Sequence, residues 1–101
     1  MNSQQKIKPI LESIYLIVKE TVECDYQLFL FGSRAMGTND NKADIDVGII
    51  PENYLSPIQI QEIKEKIEEL PTLLKIDFID FTTVSEDFKS VALMHTKDLV
   101  L

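Results

Sequence analysis

Two aspartates interrupt an apolar run at Asp44 and Asp46, in the string Ala43-Asp-Ile-Asp-Val-Gly-Ile-Ile50, and this feature restricts the fold most. The surrounding residues have strand composition, yet Asp is depleted in strands and an unpaired buried carboxylate is costly. Side chains two apart on a strand share a face and lie roughly 6–7 Å apart at a rise of ~3.3 Å per residue. Asp44 and Asp46 are therefore expected to project together, with Ile45, Val47 and Ile49 facing the core. Two carboxylates on one face make a hard oxygen site suited to Mg²⁺, which leaves positions for substrate phosphates and water. The competing reading is an edge strand with a solvated polar face.

A second apolar run, residues 28–31, reads as a buried strand that ends at Gly32-Ser33. Gly32 allows a tight turn and a close approach of backbone to ligand. Ser33 stands where a short helix would start, so its hydroxyl can cap free N–H groups or meet a phosphate. Gly37 is expected to end that helix. Arg34, the one arginine of the chain, has a planar fork suited to phosphate or carboxylate; the alternative is a surface arginine paired with a nearby acid. A loop rich in Gly, Asn, Asp and Lys leads through Lys42 to the aspartates. A strand feeding a phosphate-binding turn, then a strand with two metal carboxylates, makes a nucleotide site.

The remaining elements follow from periodicity. Residues 4–24 read as an amphipathic helix, with Ile7, Ile10, Leu11, Ile14, Ile17, Val18 and Val22 on its apolar face and Tyr15 half-buried. Ser56-Pro57-Ile58-Gln59 has the cap, first-turn proline and third-position glutamine of a strong helix start, for a helix reaching Leu70. A third strand covers 75–81 and carries Asp77 and Asp80. Being three apart, these point to opposite faces, so only one can join Asp44 and Asp46. A last helix begins at Ser85, with Phe88, Val91, Ala92 and His95 on one face, and 99–101 is expected to add a short edge strand. His95 reads as a half-buried helix-end residue rather than a metal ligand, and Cys24 as a packed or half-exposed thiol rather than a nucleophile.

Alternation of helices and strands predicts an α/β fold: a small mixed sheet of three to four strands with helices packed mainly on one side. The 101 residues suit one domain, 1–101. No apolar run approaches a membrane span, the start lacks a signal-peptide pattern, and a lone cysteine forms no internal disulfide. The expected location is the cytoplasm, with no membrane association. A net charge of −7 argues against long nucleic acids, whose binding rests on Lys and Arg. A small nucleotide carried with Mg²⁺ avoids that conflict, and a basic protein partner suits an acidic surface.

Gly32-Ser33, ten residues, then Asp44-x-Asp46 resembles the signature of the polymerase-β-like nucleotidyltransferase superfamily. The flanking Phe31-Gly-Ser-Arg-Ala-Met-Gly and Ala43-Asp-Ile-Asp-Val-Gly-Ile resemble its smallest branch, the minimal nucleotidyltransferases of bacteria and archaea. The close match covers about a quarter of the chain. Met36 departs from a frequently basic position and Ala43 from a common serine; neither is a proposed ligand.

The resemblance implies a polymerase-β-like fold and Mg²⁺-dependent transfer of a nucleoside monophosphate, with ATP as substrate. It implies Asp44, Asp46 and Asp77 as catalytic and metal residues, Asp77 being favoured over Asp80 as the third carboxylate. Gly32, Ser33 and Arg34 would bind the nucleotide. Members of this branch are commonly paired with a small helical HEPN-domain toxin, so the resemblance implies an antitoxin that adenylylates a tyrosine of its partner within a hetero-oligomer. The alternative is a non-catalytic module that neutralises its partner by contact.

Overall fold

Strand β1 (Tyr26–Phe31) and strand β2 (Ile45–Pro51) run antiparallel, and their apolar residues fill both faces of the sheet they begin. The computed structural model describes residues 7–37 and 43–99. Strand β3 (Ile76–Asp80) lies parallel to β2, and the two-residue β4 (Lys97–Asp98) pairs antiparallel with β1. The order β3-β2-β1-β4 makes a mixed four-stranded sheet, as the alternation of elements predicts. The expected edge strand falls slightly earlier than 99–101; Leu99 donates its N–H to the Leu28 carbonyl, and residues 100–101 lie outside the described part.

Helix α1 (Lys8–Thr21) has a proline, Pro9, in its first turn and buries Leu11, Ile14 and Val18, a spacing of three and four that lines one face. It stops short of residue 24 because Val22 takes an extended backbone and turns the chain toward β1. The expected start at residue 4 lies outside the described residues. A four-residue helix α2 (Ser33–Met36) follows β1 and ends at Gly37, whose left-handed φ of 75° fits the predicted stop. Helix α3 (Pro57–Glu68) joins β2 to β3. Ser56 accepts from the Gln59 N–H at 3.2 Å, and the Ser56 N–H donates to Gln59 Oε1 at 3.0 Å, the reciprocal cap that the sequence predicts. Ile63 and Ile67 are its buried residues.

The two faces of the sheet differ. Leu28, Leu30, Ile45, Val47, Ile49 and Phe78 pack with α1 and α3 into an aliphatic core. Ile14, Val18, Ile45, Val47, Ile49 and Ile63 are fully enclosed there, each burial contributing about 1.5–3 kcal/mol. The opposite face carries Phe29, Phe31 and Phe81. Phe81 meets both of the others edge-on at 5.1 Å between ring centroids, a favoured aromatic geometry. Helix α4 (Glu86–Ala92) leans on this face through Phe88, 5.7 Å from Phe81 and 6.1 Å from Phe31. The two long helices thus share one side, and among the described residues α4 is the helix on the other.

Helix α4 departs from the expected apolar face. It ends at Ala92, so His95 falls in the following turn and is exposed, not half-buried at a helix end. Phe88 and Val91 also retain substantial exposure. Cys24 is half-buried with Sγ 4.0 Å from the Asn53 carbonyl, in keeping with a packed thiol. Among the described residues, no helix is long and apolar enough to cross a membrane.

Candidate active site

One end of the sheet collects the acidic residues. Strand register sets Asp77, Asp46 and Phe31 in a row across β3, β2 and β1. The next row on the same face is Ile79, Gly48 and Phe29. Alternation along β2 sends Ile45, Val47 and Ile49 to the aliphatic core, which turns Asp46 to the aromatic side beside Asp77. Asp44 is exposed and sits just before β2 begins, so only Asp46 of the pair is a strand residue.

Burial raises the pKa of Asp46, and the neighbouring carboxylates of Asp77 and Asp44 and a hydrogen bond with Asp77 push the same way. Lys75 opposes them. Its ammonium lies 3.9 Å from Asp77 Oδ1, and both groups reach solvent. An ion pair this exposed contributes little stability; its effect is to place one positive charge among three negative ones. Lys75 leads into β3 two residues before Asp77, so strand alternation carried back by one residue signals their shared face.

Gly32 adjoins this group. Its φ of 71° and ψ of −155° belong to a region essentially restricted to glycine. A Cβ at Gly32 would fall 2.5 Å from Asp46 Oδ2, so the missing side chain leaves the carboxylate open beside the β1–α2 junction. Gly32, not Ser33, is the N-cap of α2. Ser33 is its first helical residue and no side-chain cap bond forms there, which corrects the expectation that the serine hydroxyl caps this turn.

Arg34 is placed differently from either sequence reading. It is 1% exposed, so it is not a surface arginine. Its Nε and Nη2 donate to the Ala43 carbonyl at 3.1 and 2.8 Å. These bonds tie Arg34 to the backbone immediately before Asp44. Lys42 lies outside the described residues.

Asp80 occupies the other face of β3, as alternation requires. It is buried, and its Oδ1 accepts from the Thr82 N–H at 2.9 Å and the Thr82 hydroxyl at 2.7 Å. These bonds close the turn after β3 and account for the carboxylate structurally. Gly48 is a residue whose role the sequence reading missed. A Cβ there would stand 2.6 Å from the rings of Phe29 and Phe81, so the aromatic face exists because position 48 has no side chain. A glycine inside an apolar strand is the available signal for such close packing.

Among the described residues, no group of three His, Cys, Asp or Glu side chains forms a ready metal cluster. The donor chemistry nevertheless fits a hard divalent cation: Asp46 and Asp77 are adjacent carboxylates, Asp44 is near enough to perturb Asp46, and Gly32 leaves space beside Oδ2.

Residues 5–100 match the family model described as Polymerase beta, Nucleotidyltransferase. The Haemophilus influenzae protein named "Probable protein adenylyltransferase MntA" is 30% identical over 89 residues, spanning 88% of this chain and 78% of that protein. A toxin–antitoxin crystal structure with AMP-PNP superposes with a TM-score of 0.72 at 21% identity, over 89% of this chain and 72% of its own. The complex of a tri-AMPylated Shewanella oneidensis HEPN toxin with its MNT antitoxin gives 0.70 at 18% identity, over 92% and 71%. The likeness to these two structures is one of fold. With the family model spanning nearly the whole chain and the MntA relative at this identity, the chain belongs to the polymerase-β nucleotidyltransferase family.

Proposed function

We propose that this nucleotidyltransferase moves AMP from ATP to a side-chain hydroxyl of a partner protein, and that the partner is a small helical HEPN-type toxin which the modification silences. The observation that carries the reading is the pairing of Asp46 with Asp77 beside the open backbone of Gly32. The adenylyltransferase name of the MntA relative supports AMP as the group moved, and the HEPN–MNT complexes of the same fold support the partner.

In this reaction the acceptor oxygen forms a phosphoester bond to the α-phosphorus, the α–β phosphoanhydride bond breaks, and pyrophosphate leaves. Asp46 and Asp77 are the residues that would hold Mg²⁺, with Asp44 alongside. When bound, the ion supplies positive charge for the triphosphate. Gly32 and Ser33, at the β1–α2 junction, border the space for its terminal phosphates. Asp77 would accept the proton of the attacking hydroxyl, a role its access to solvent supports. An acidic surface suits a basic partner, whose association would be faster at low salt.

The test is intact-mass spectrometry of a HEPN partner co-expressed with the wild-type chain or with an Asp44→Asn/Asp46→Asn double variant. Mass additions of one or more AMP groups with the wild type and none with the variant are expected. Full neutralisation by the variant with no added mass in either case would replace catalysis with contact inhibition.

A further inference from the structure

We infer that Arg34 is a positioning residue: its buried guanidinium fixes the Ala43 carbonyl and thereby sets where Asp44 stands relative to Asp46. Burying a guanidinium is costly unless its donors are met, and this one is 1% exposed. Two of its donors converge on a single carbonyl, at 3.1 Å from Nε and 2.8 Å from Nη2. That carbonyl belongs to the residue before Asp44. On the other side of Asp44, the Ile45 N–H donates to the Lys75 carbonyl at 2.9 Å. Asp44 is therefore held between two anchors, one from α2 and one from Lys75, the residue that leads into β3, although it belongs to neither element.

The base of the first anchor is itself fixed. Arg34 lies in α2, whose Ala35 and Met36 N–H groups both donate to the Gly32 carbonyl at 3.2 Å. Gly32 is the residue whose missing side chain faces Asp46. The Gly32 turn and the Asp44–Asp46 segment, separated in sequence by the loop, are joined through Arg34. Asp46 has strand pairing on both sides to hold it, whereas Asp44 precedes the strand. Loss of the Arg34 clamp should thus release Asp44 while leaving Asp46 and Asp77 in register.

This rests on the metal-binding reading for its consequence and on the structure alone for its geometry, so the experiment measures both. Amide exchange by NMR and Mn²⁺ affinity by electron paramagnetic resonance are compared for wild type, Arg34→Met, Arg34→Lys and Asp44→Asn, with the Arg34→Met/Asp44→Asn pair completing a cycle. Arg34→Met should speed exchange of the Ile45 amide about tenfold or more while Val47 and Ile49 keep their protection. It should weaken Mn²⁺ binding by about tenfold, the usual scale for residues that orient a ligand, and Arg34→Lys should recover part of both. In the Asp44→Asn background the same change should have no further effect on affinity, since contacting residues are non-additive.

Equal weakening in both backgrounds, or loss of protection throughout β2, would overturn the inference and make Arg34 a brace for the whole fold. If Arg34→Met does not fold, Arg34→Lys carries the same comparison. If the wild-type chain binds no Mn²⁺, the metal reading fails and exchange decides alone: selective release of Ile45 supports the clamp, and unchanged exchange removes it.

Discussion

The absent side chain of Gly32 and the carboxylate of Asp46 occupy one another's space: a Cβ on the glycine would stand 2.5 Å from Oδ2 of the aspartate. Gly32→Ala therefore meets two penalties, a backbone region that alanine rarely adopts and a direct clash. We expect a loss of about 1–3 kcal/mol from the backbone alone, read by urea denaturation. Transfer activity should be lost even where the variant is fully folded.

Asp46→Asn should stabilise the metal-free protein at neutral pH. The folded state raises the pKa of Asp46 through burial and the charges of Asp77 and Asp44, so it holds the proton over a range where the unfolded chain has released it. Stability is then lost as pH rises from the ordinary value of 3.8 through the raised one, and the penalty is complete above it. Melting curves in a chelator should show the variant ahead of wild type at pH 7, with the gap closing as pH falls toward the ordinary value. A gap independent of pH would contradict the electrostatic account.

Asp77 and Asp80 should separate function from stability. Asp77→Ala should reduce transfer by about 10²–10⁴-fold, the scale for a lost proton-transfer group, with little change in melting. Asp80→Ala leaves the Thr82 N–H and hydroxyl without their acceptor, a cost of about 1–3 kcal/mol. Its activity per folded molecule should be near wild type. Reversed results would pass the site to Asp80.

Gly48→Ala should destabilise by overpacking, about 1–3 kcal/mol, because its Cβ would meet the Phe29 and Phe81 rings at 2.6 Å. Combining it with Phe81→Leu should cost less than the two single changes added together. Denaturant midpoints of the four proteins check this.

Local patterns in the chain carry much of this architecture. Ile45, Val47 and Ile49 alternate into the core, Ser56 and Gln59 form their reciprocal cap, and Gly37 stops α2 in the left-handed region. The opposite facing of Asp77 and Asp80 is likewise a matter of counting residues along a strand. Contacts between distant segments were not legible. Phe29 and Phe31 come from β1, Phe88 from α4 and Phe81 from the turn after β3, and nothing in their spacing says that they meet around Gly48. Arg34 reads as a phosphate ligand by its chemistry, and its bonds to the Ala43 main-chain carbonyl have no residue signature. His95 was assigned by helical spacing beyond the point where the helix ends.

The parallel pairing of β2 with β3 also has a kinetic side. β2 begins 14 residues after β1 ends, counting from Phe31 to Ile45, but Asp46 and Asp77 meet only after the chain has crossed through α3. Closing the longer connection carries the larger entropic cost. We expect the crowding of carboxylates to be imposed late in folding, when β3 docks on β2. Relieving it by Asp46→Asn should slow unfolding and leave the refolding rate nearly unchanged, since an interaction made beyond the transition state acts on the unfolding limb.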